Sequence, residues 1–393
     1  MSESITPTAS YREHYADDDA RREWILSILE AHFGCKPLKI LGKRIGDATG
    51  HTSRIYSLRI EWSKASYKDH LPRSLAIKIT ELTKLTRLSK PEDHDMLTKA
   101  MIKATDMEIM TYKMLSKRIK MLKYYTSGRM TATQPGYVLI EDASKNCANP
   151  NGIDGMSVRQ AKQLLTAVAG YQTISMQEND LLQQFHAGMA DKMIRFQKTV
   201  VEQSLYLCEQ FPDIWKFSTD DIEMLMHECE TRCHVDPAVG NFTPVLVHGD
   251  LWHNNLLYKY AGLQSDEEFE DLYAIIDWQS PHVGCCVVDL VRFFTASLTT
   301  NIRTKHLTEM LEFYYSELQR LLPPSTCVPF TFSELVSLFH RTLFYGAIMG
   351  TIQVAYELKN NSLARVPESV KLNYVRRMES VVAEAIDGLK QRN

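Results

Sequence analysis

The sequence predicts an α+β protein of two lobes, a small β-rich lobe followed by a larger, mainly helical one. Three observations predict it. Period-two alternation of apolar and polar residues recurs within the first 142 positions. A stretch rich in Asn, Gly and Pro follows at 143–156. Beyond it, apolar residues return at helical spacing, interrupted by two strand-like segments.

Residues 1–15 read as a polar, mobile arm. Asp17–Asp19 suit a helix start, Trp24, Ile25, Ile28 and Leu29 form its apolar face, and Gly34 ends it. Strands are expected at Leu38–Ile45, Arg54–Trp62 and Ser74–Thr80. In the second, Tyr56, Leu58, Ile60 and Trp62 alternate with Ser57, Arg59 and Glu61. In the third, Leu75, Ile77 and Ile79 face opposite to Ala76 and Lys78. A polar loop near Ser89–Asp95 leads to a helix over Ala104–Lys117, and Tyr137–Ile140 is a short strand ended by Glu141 and Asp142. These elements make a first lobe over 16–142, joined by a linker at 143–156 to a second lobe over 157–393. Ser157 and Gln160 form a capping-box pattern that opens the second lobe. A helix near Asp220–Cys233 follows. Pro244–Tyr258 and Leu272–Trp278, joined by the acidic loop Gln264–Asp271, read as a hairpin embedded among helices.

Composition excludes several classes of protein. The 393 residues are 44% hydrophobic and carry a formal net charge of −3, which offers no broad basic surface for nucleic acid. No apolar run approaches a membrane span, and the first residues lack the apolar region of a secretory signal. Eight cysteines are scattered without a disulfide rhythm. A cytoplasmic protein with reduced thiols is the expectation. His227, Cys229, Cys233 and His234 invite a zinc reading, but Ile222, Leu225, Met226, Cys229 and Cys233 share one apolar helix face, and core packing is expected there.

The strongest chemical signal is Val247-His248-Gly249-Asp250-Leu251-Trp252-His253-Asn254-Asn255. His-x-Asp followed five residues later by Asn is the spacing of a kinase catalytic loop. A hydroxyl is a weak nucleophile; a fixed carboxylate can orient it and accept its proton. Asp250 is placed in that role, as general base or as hydroxyl positioner. Asn255 offers an amide oxygen to Mg²⁺. Asp277, at the end of the apolar run Ala274-Ile275-Ile276, is a hard oxygen ligand returned beside Asn255 by the hairpin. Lys78 in Leu75-Ala76-Ile77-Lys78 matches a phosphate-binding strand lysine, and Glu108, 30 residues on, is its expected partner. Gly46, Gly50 and Ser53, between two strands, let backbone amides approach phosphate, although the pattern Gly-x-Gly-x-x-Gly is absent.

Taken in order over about residues 38–295, the motifs LAIK, LIED, HGDLWHNN and IIDWQ resemble the aminoglycoside phosphotransferase and choline kinase superfamily. The Trp-x-Asn-Asn ending is most similar to its ecdysteroid kinase-like, or CHK kinase-like, branch. The resemblance implies a two-lobed protein kinase-like fold, with ATP and Mg²⁺ as cofactors and a small-molecule hydroxyl as acceptor. It implies Asp250 as catalytic base, Asn255 and Asp277 as Mg²⁺ ligands, and Lys78, supported by Glu108, on the ATP phosphates. Leu139–Ala143, with Glu141, would be the hinge that meets adenine, and Asp289 would brace the site. The implied acceptor is a sterol-like or other lipophilic alcohol; choline or an aminoglycoside-like amino alcohol is the alternative. A nucleotide-binding protein of the same fold with a dead site is the reading from another class. A protein kinase is disfavoured, because Trp278 replaces Phe-Gly after Asp277 and only eleven residues separate Asp277 from Asp289. Oligomeric state is not readable from the sequence.

Overall fold

The computed structural model describes residues 19–46, 53–62, 71–80, 94–185, 190–232, 242–261, 269–359, 363 and 366–391. The chain forms two compact units. One comprises Met1–Lys117 and Met121–Cys147, the other Arg118–Lys120 and Ala148–Asn393. The arm expected at 1–15 lies outside the described residues.

The first unit comprises two helices and a five-stranded sheet. Helix α1 (Asp19–Phe33) ends where Gly34 takes φ +72° and returns its N–H to the carbonyl of Glu30 at 2.9 Å. Strands β1 (Pro37–Ile45), β2 (Ser53–Trp62) and β3 (Ser74–Thr80) follow, then α2 (His94–Leu115), β4 (Tyr124–Gly128) and β5 (Gly136–Glu141). The sheet runs β1-β2-β3-β5-β4 with every pairing antiparallel. The two faces of β3 divide as the alternation predicts. Leu75, Ile77 and Ile79 join Leu58, Ile60, Trp62 and the apolar stripe of α1 in one core, and Lys78 falls on the other side.

Two expectations are corrected here. Helix α2 begins at His94, ten residues before the predicted Ala104. Its first turns already carry apolar residues, Met96, Leu97, Met101 and Ile102, with Met101 buried, and Lys99 pairs with Asp95 at 2.8 Å across one exposed turn. Strand β4 has no counterpart in the sequence reading. It is half-buried at every position, so its residues never alternate between a buried and an exposed face.

The second unit holds α3 (Val158–Gln177), α4 (Asn179–Gln183), α5 (Ala190–Gln210), α6 (Thr219–Arg232), β6 (Val245–Val247), β7 (Leu256–Tyr260), β8 (Phe269–Ile275), β9 (His282–Gly284), α7 (Val287–Ser297), α8 (Thr300–Leu321), α9 (Phe332–Arg341), α10 (Leu343–Lys359) and α11 (Glu368–Lys390). The capping box at Ser157 and Gln160 is present in both directions. Helix α7 is buried at all eleven positions, which explains why apolar residues surround it on every side. Pro244–Tyr258 is not one strand. It splits into β6, which pairs antiparallel with β9, and β7, which pairs antiparallel with β8, with a loop between them. Phe269, Glu270 and Asp271 belong to β8 rather than to the acidic loop, because Phe269 is buried opposite Tyr260. Cys233 and His234 lie outside the described residues. Among the described residues, no group of three or more His, Cys, Asp or Glu could hold a metal, and no single helix is long and apolar enough to cross a membrane.

Candidate active site

The loop between β6 and β7 is fixed from several sides. Gly249 adopts φ +81°, and a Cβ there would lie 2.3 Å from the carbonyl oxygen of Ser280, so the turn admits only glycine. Asp289, fully buried in the first turn of α7, accepts three hydrogen bonds. They come from the Tyr171 hydroxyl at 2.6 Å, the His248 N–H at 2.8 Å and the Gly249 N–H at 3.0 Å. Burial pushes its carboxyl above the usual aspartate range, against the opposing pull of His248 and these donors. Asp289 therefore acts on the loop backbone.

His248 is wholly buried and its Nε2 lies 3.0 Å from the carbonyl oxygen of Ile276, while its ring stands edge-on to Trp278 at 4.5 Å. It ties the loop to the residue before Asp277. His253 is also buried. Burial first, then the guanidiniums of Arg377 and Arg292, push its pKa down to about 3, so the ring stays neutral. Its N–H donates to Ser297 Oγ at 2.9 Å. Asn149 Nδ2 donates to the carbonyls of Asn254 and Leu256, each at 2.8 Å.

These contacts bring together the residues that the motif singled out. Asn255 Nδ2 donates to the Asp250 carbonyl at 2.8 Å and lies 3.4 Å from Asp250 Oδ2. The register Leu256↔Ile275 places Asn255 beside the end of β8, and Ile276 N–H donates to the Asn255 carbonyl at 2.9 Å. Asp277 comes next. At φ 65° it is the one non-glycine described residue with positive φ, a strained conformation for an L residue. Gln279 Nε2 donates to its Oδ2 at 3.1 Å.

A divalent cation suits this donor set. Asn255 commits Nδ2 to Asp250, so its amide oxygen is the atom it could offer a cation, and Asp277 adds a carboxylate. Two hard oxygen donors are too few for a cage of protein ligands alone. They fit Mg²⁺, which keeps several waters and takes phosphate oxygens.

In the other unit, Lys78 Nζ and Glu108 Oε1 form an ion pair of 2.8 Å, with side chains 10% and 3% exposed. A buried lysine needs such a partner to remain charged. Gly46 ends β1 at φ +80°. Ser53 Oγ lies 3.3 Å from Thr80 Oγ1. Gly50 lies outside the described residues. Glu141 closes β5, its Oε2 accepting the Lys123 N–H at 3.1 Å. Next to it, Asp142 Oδ2 accepts from Ser57 at 2.5 Å and Ser74 at 2.6 Å.

Three contributors escaped the sequence reading. Asn149 and Gly152 lay in the expected linker, yet Asn149 holds the loop backbone and the Gly152 carbonyl accepts from Arg377 at 2.8 Å. Arg292 was passed over inside an apolar helix, yet its Nε donates to Asp250 Oδ1 at 3.1 Å. An arginine between Leu290-Val291 and Phe293-Phe294 was the available signal.

The fold is the two-lobed, protein kinase-like α+β fold. A Ralstonia eutropha JMP134 protein described as a "putative aminoglycoside phosphotransferase" aligns over 94% of this chain and 98% of its own, with a TM-score of 0.55 at 11% identity. The GDP complex of wild-type aminoglycoside 2'-phosphotransferase-IIIa aligns over 93% and 99%, with a TM-score of 0.49 at 12% identity. By sequence, the chain belongs to the DUF1679 family, described as "Uncharacterized oxidoreductase dhs-27", whose pattern matches residues 30–387. A curated Caenorhabditis elegans relative, "Uncharacterized oxidoreductase dhs-27", is 35% identical over 74 residues; the match takes in 19% of this chain and only 9% of that relative's length.

Proposed function

We propose that this chain is a phosphotransferase that moves the γ-phosphate of ATP onto a hydroxyl of a small molecule. The observation that carries the reading is the joint placement of Asp250, Asn255 and the segment bearing Asp277. Asn255 bonds Asp250 through its amide and receives Ile276 through its carbonyl. That is the arrangement in-line phosphoryl transfer needs: one carboxylate for the nucleophile, with an amide and a second carboxylate for a metal.

In this mechanism Asp250 orients the acceptor hydroxyl and takes its proton as the oxygen attacks. Asn255 and Asp277 hold Mg²⁺, which when bound draws charge from the phosphate oxygens. Lys78, kept in place by Glu108, contacts the ATP phosphates. Gly46, Gly50 and Ser53 bring backbone amides toward phosphate, and Glu141 belongs to the backbone hinge for adenine. No covalent enzyme intermediate is required.

For the acceptor, the motif resemblance to the ecdysteroid kinase-like branch supports a sterol-like or other lipophilic alcohol. A choline- or aminoglycoside-like amino alcohol is the alternative. A cytoplasmic site of action fits the reduced thiols. The word oxidoreductase in the family description finds no support in this chain's residues. The sequence contains no Gly-x-Gly, and the described long strand pairings are antiparallel, whereas a dinucleotide fold uses parallel strands behind a Gly-rich turn.

The test is transfer of label from γ-labelled ATP, in the presence of Mg²⁺, to the small-molecule fraction of a cell extract. Wild type should label a product, and Asp250→Asn should lower turnover at least about 10²-fold while still binding ATP. Equal turnover in the two proteins, or hydride transfer to a nicotinamide without phosphoryl transfer, would reject the proposal.

A further inference from the structure

Asp250 has a partner that phosphoryl transfer does not itself demand. Arg292 stands on α7 three residues after Asp289, so one helix face carries both. Its side chain is only 4% exposed, a rare place for a guanidinium unless its charge is answered. Nε donates to Asp250 Oδ1 at 3.1 Å, and Nη1 donates to Gln353 Oε1 at 2.8 Å. Cζ lies 5.1 Å from the centroid of the Trp252 ring. Gln353, on α10, is itself anchored, since its Nε2 donates to the Tyr374 hydroxyl of α11 at 2.8 Å. The guanidinium is thus held by a carboxylate, an amide and an indole face from three parts of the unit.

We propose that Arg292 is a positioning residue, a buried guanidinium that fixes which oxygen of Asp250 is presented to the acceptor hydroxyl. The inference deepens the phosphotransferase reading and rests on it. A carboxylate on a loop turns easily about its last torsion, whose profile is broad and two-fold. The Asn255 contact to Oδ2, at 3.4 Å, is too long to stop that rotation. The charged bond to Oδ1 is shorter and comes from a buried donor held by Gln353 and Trp252. With Oδ1 occupied, Oδ2 is the oxygen left for the acceptor. Helix α7 then sets the site twice. Asp289 fixes the backbone of His248 and Gly249, and one turn later Arg292 fixes the Asp250 side chain.

The pairing also bears on the acceptor. Because the guanidinium offsets the charge of Asp250, the attraction of a cationic acceptor to this carboxylate is weakened.

The experiment compares Arg292→Ala, Arg292→Lys, Gln353→Leu and Asp250→Asn with wild type, using γ-labelled ATP with the small-molecule extract and, separately, ATP hydrolysis to water. Thermal denaturation of each variant reports its folding. Arg292→Ala should lose about 10²-fold in kcat with KM for MgATP within about twofold, as expected for a misplaced catalytic group. Arg292→Lys supplies a point charge that cannot reach both partners and should lose less. Gln353→Leu, which leaves the Asp250 contact in place, should lose least. Guanidinium ion at sub-denaturing concentration should restore part of the turnover of Arg292→Ala and none of that of Asp250→Asn. Asp250→Asn inactive with Arg292→Ala and Arg292→Lys at wild-type kcat overturns the inference alone. A loss in the Arg292 variants that tracks KM for MgATP or the folded fraction, without guanidinium rescue, also overturns it. Asp250→Asn as active as wild type removes the site reading and this inference with it.

Discussion

Replacing Asp289 tests whether the loop is held by this carboxylate. The side chain is fully buried and accepts from the Tyr171 hydroxyl, the His248 N–H and the Gly249 N–H. Asp289→Ala leaves three donors in a dry pocket. Each buried unsatisfied group costs about 1–3 kcal/mol. Part of that is offset, because the same burial opposes ionisation and raises the Asp289 pKa, so removing the charge relieves a cost. The net expectation is a loss of about 3 kcal/mol, a large share of an ordinary domain's stability. Asp289→Asn keeps the shape. Its amide oxygen can serve Tyr171 and His248, but its NH₂ then faces the Gly249 N–H, donor against donor, and about 1–2 kcal/mol is expected. Urea denaturation followed by fluorescence, with the slope m checked against wild type, measures both. In the folded fraction, turnover should fall further than ATP affinity, because the displaced backbone carries Asp250. An Asp289→Ala protein within 0.5 kcal/mol of wild type, with equal m, would show that the three bonds do not hold the loop.

Two further substitutions probe other parts of the assembly. Gly249→Ala places a Cβ 2.3 Å from the Ser280 carbonyl oxygen at φ +81°, and at least about 2 kcal/mol of destabilisation is expected by urea titration; no change would mean that the turn relaxes freely. Glu108→Ala removes the 2.8 Å carboxylate partner of the buried Lys78 ammonium and should cost about 3 kcal/mol. The double variant Lys78→Met with Glu108→Leu should recover most of that stability yet lose MgATP affinity in calorimetry; retained affinity would remove Lys78 from the nucleotide site.

What the sequence disclosed follows from what each signal measures. Strand β2 was legible because buried and exposed positions alternate in its second half, and β3, buried on both faces, because Leu75, Ile77 and Ile79 alternate in the sequence with Ala76 and Lys78. Helix α7 has no such contrast, being buried all round, so nothing in its pattern marks Arg292 as a partner of Asp250. The loop residues Asp250 and Asn255 and the later Asp277 could be found because their spacing reflects local chain geometry. Asn149 could not. It bonds carbonyls 105 and 107 residues away, and its neighbours Asn, Pro and Gly carry the composition of a linker whether or not they are ordered. The early start of α2 adjoins the polar stretch Ser89–Asp95, and Met96, at 44% exposure, and Lys99 lie on its open side, so only Met101 marks a core face there.

The backbone at Asp277 gives an independent reason to place chemistry at the end of β8. A left-handed conformation at a non-glycine residue costs on the order of 1 kcal/mol, and glycine would occupy it without penalty. Three neighbouring contacts hold the segment there: Ile276 N–H to Asn255, His248 to the Ile276 carbonyl, and Trp278 Nε1 to the Ile275 carbonyl at 3.0 Å. None of the three uses the Asp277 side chain, so each would survive glycine at this position. The chain nonetheless keeps a carboxylate on a strained turn, next to an asparagine whose amide N–H₂ is already committed. That carboxylate accepts from Gln279 at 3.1 Å, and under the proposed function it also serves a phosphate-bound cation. Asp277→Gly should therefore keep or raise stability in urea titration while lowering MgATP affinity under the proposed function; unchanged affinity would leave the strain without that use.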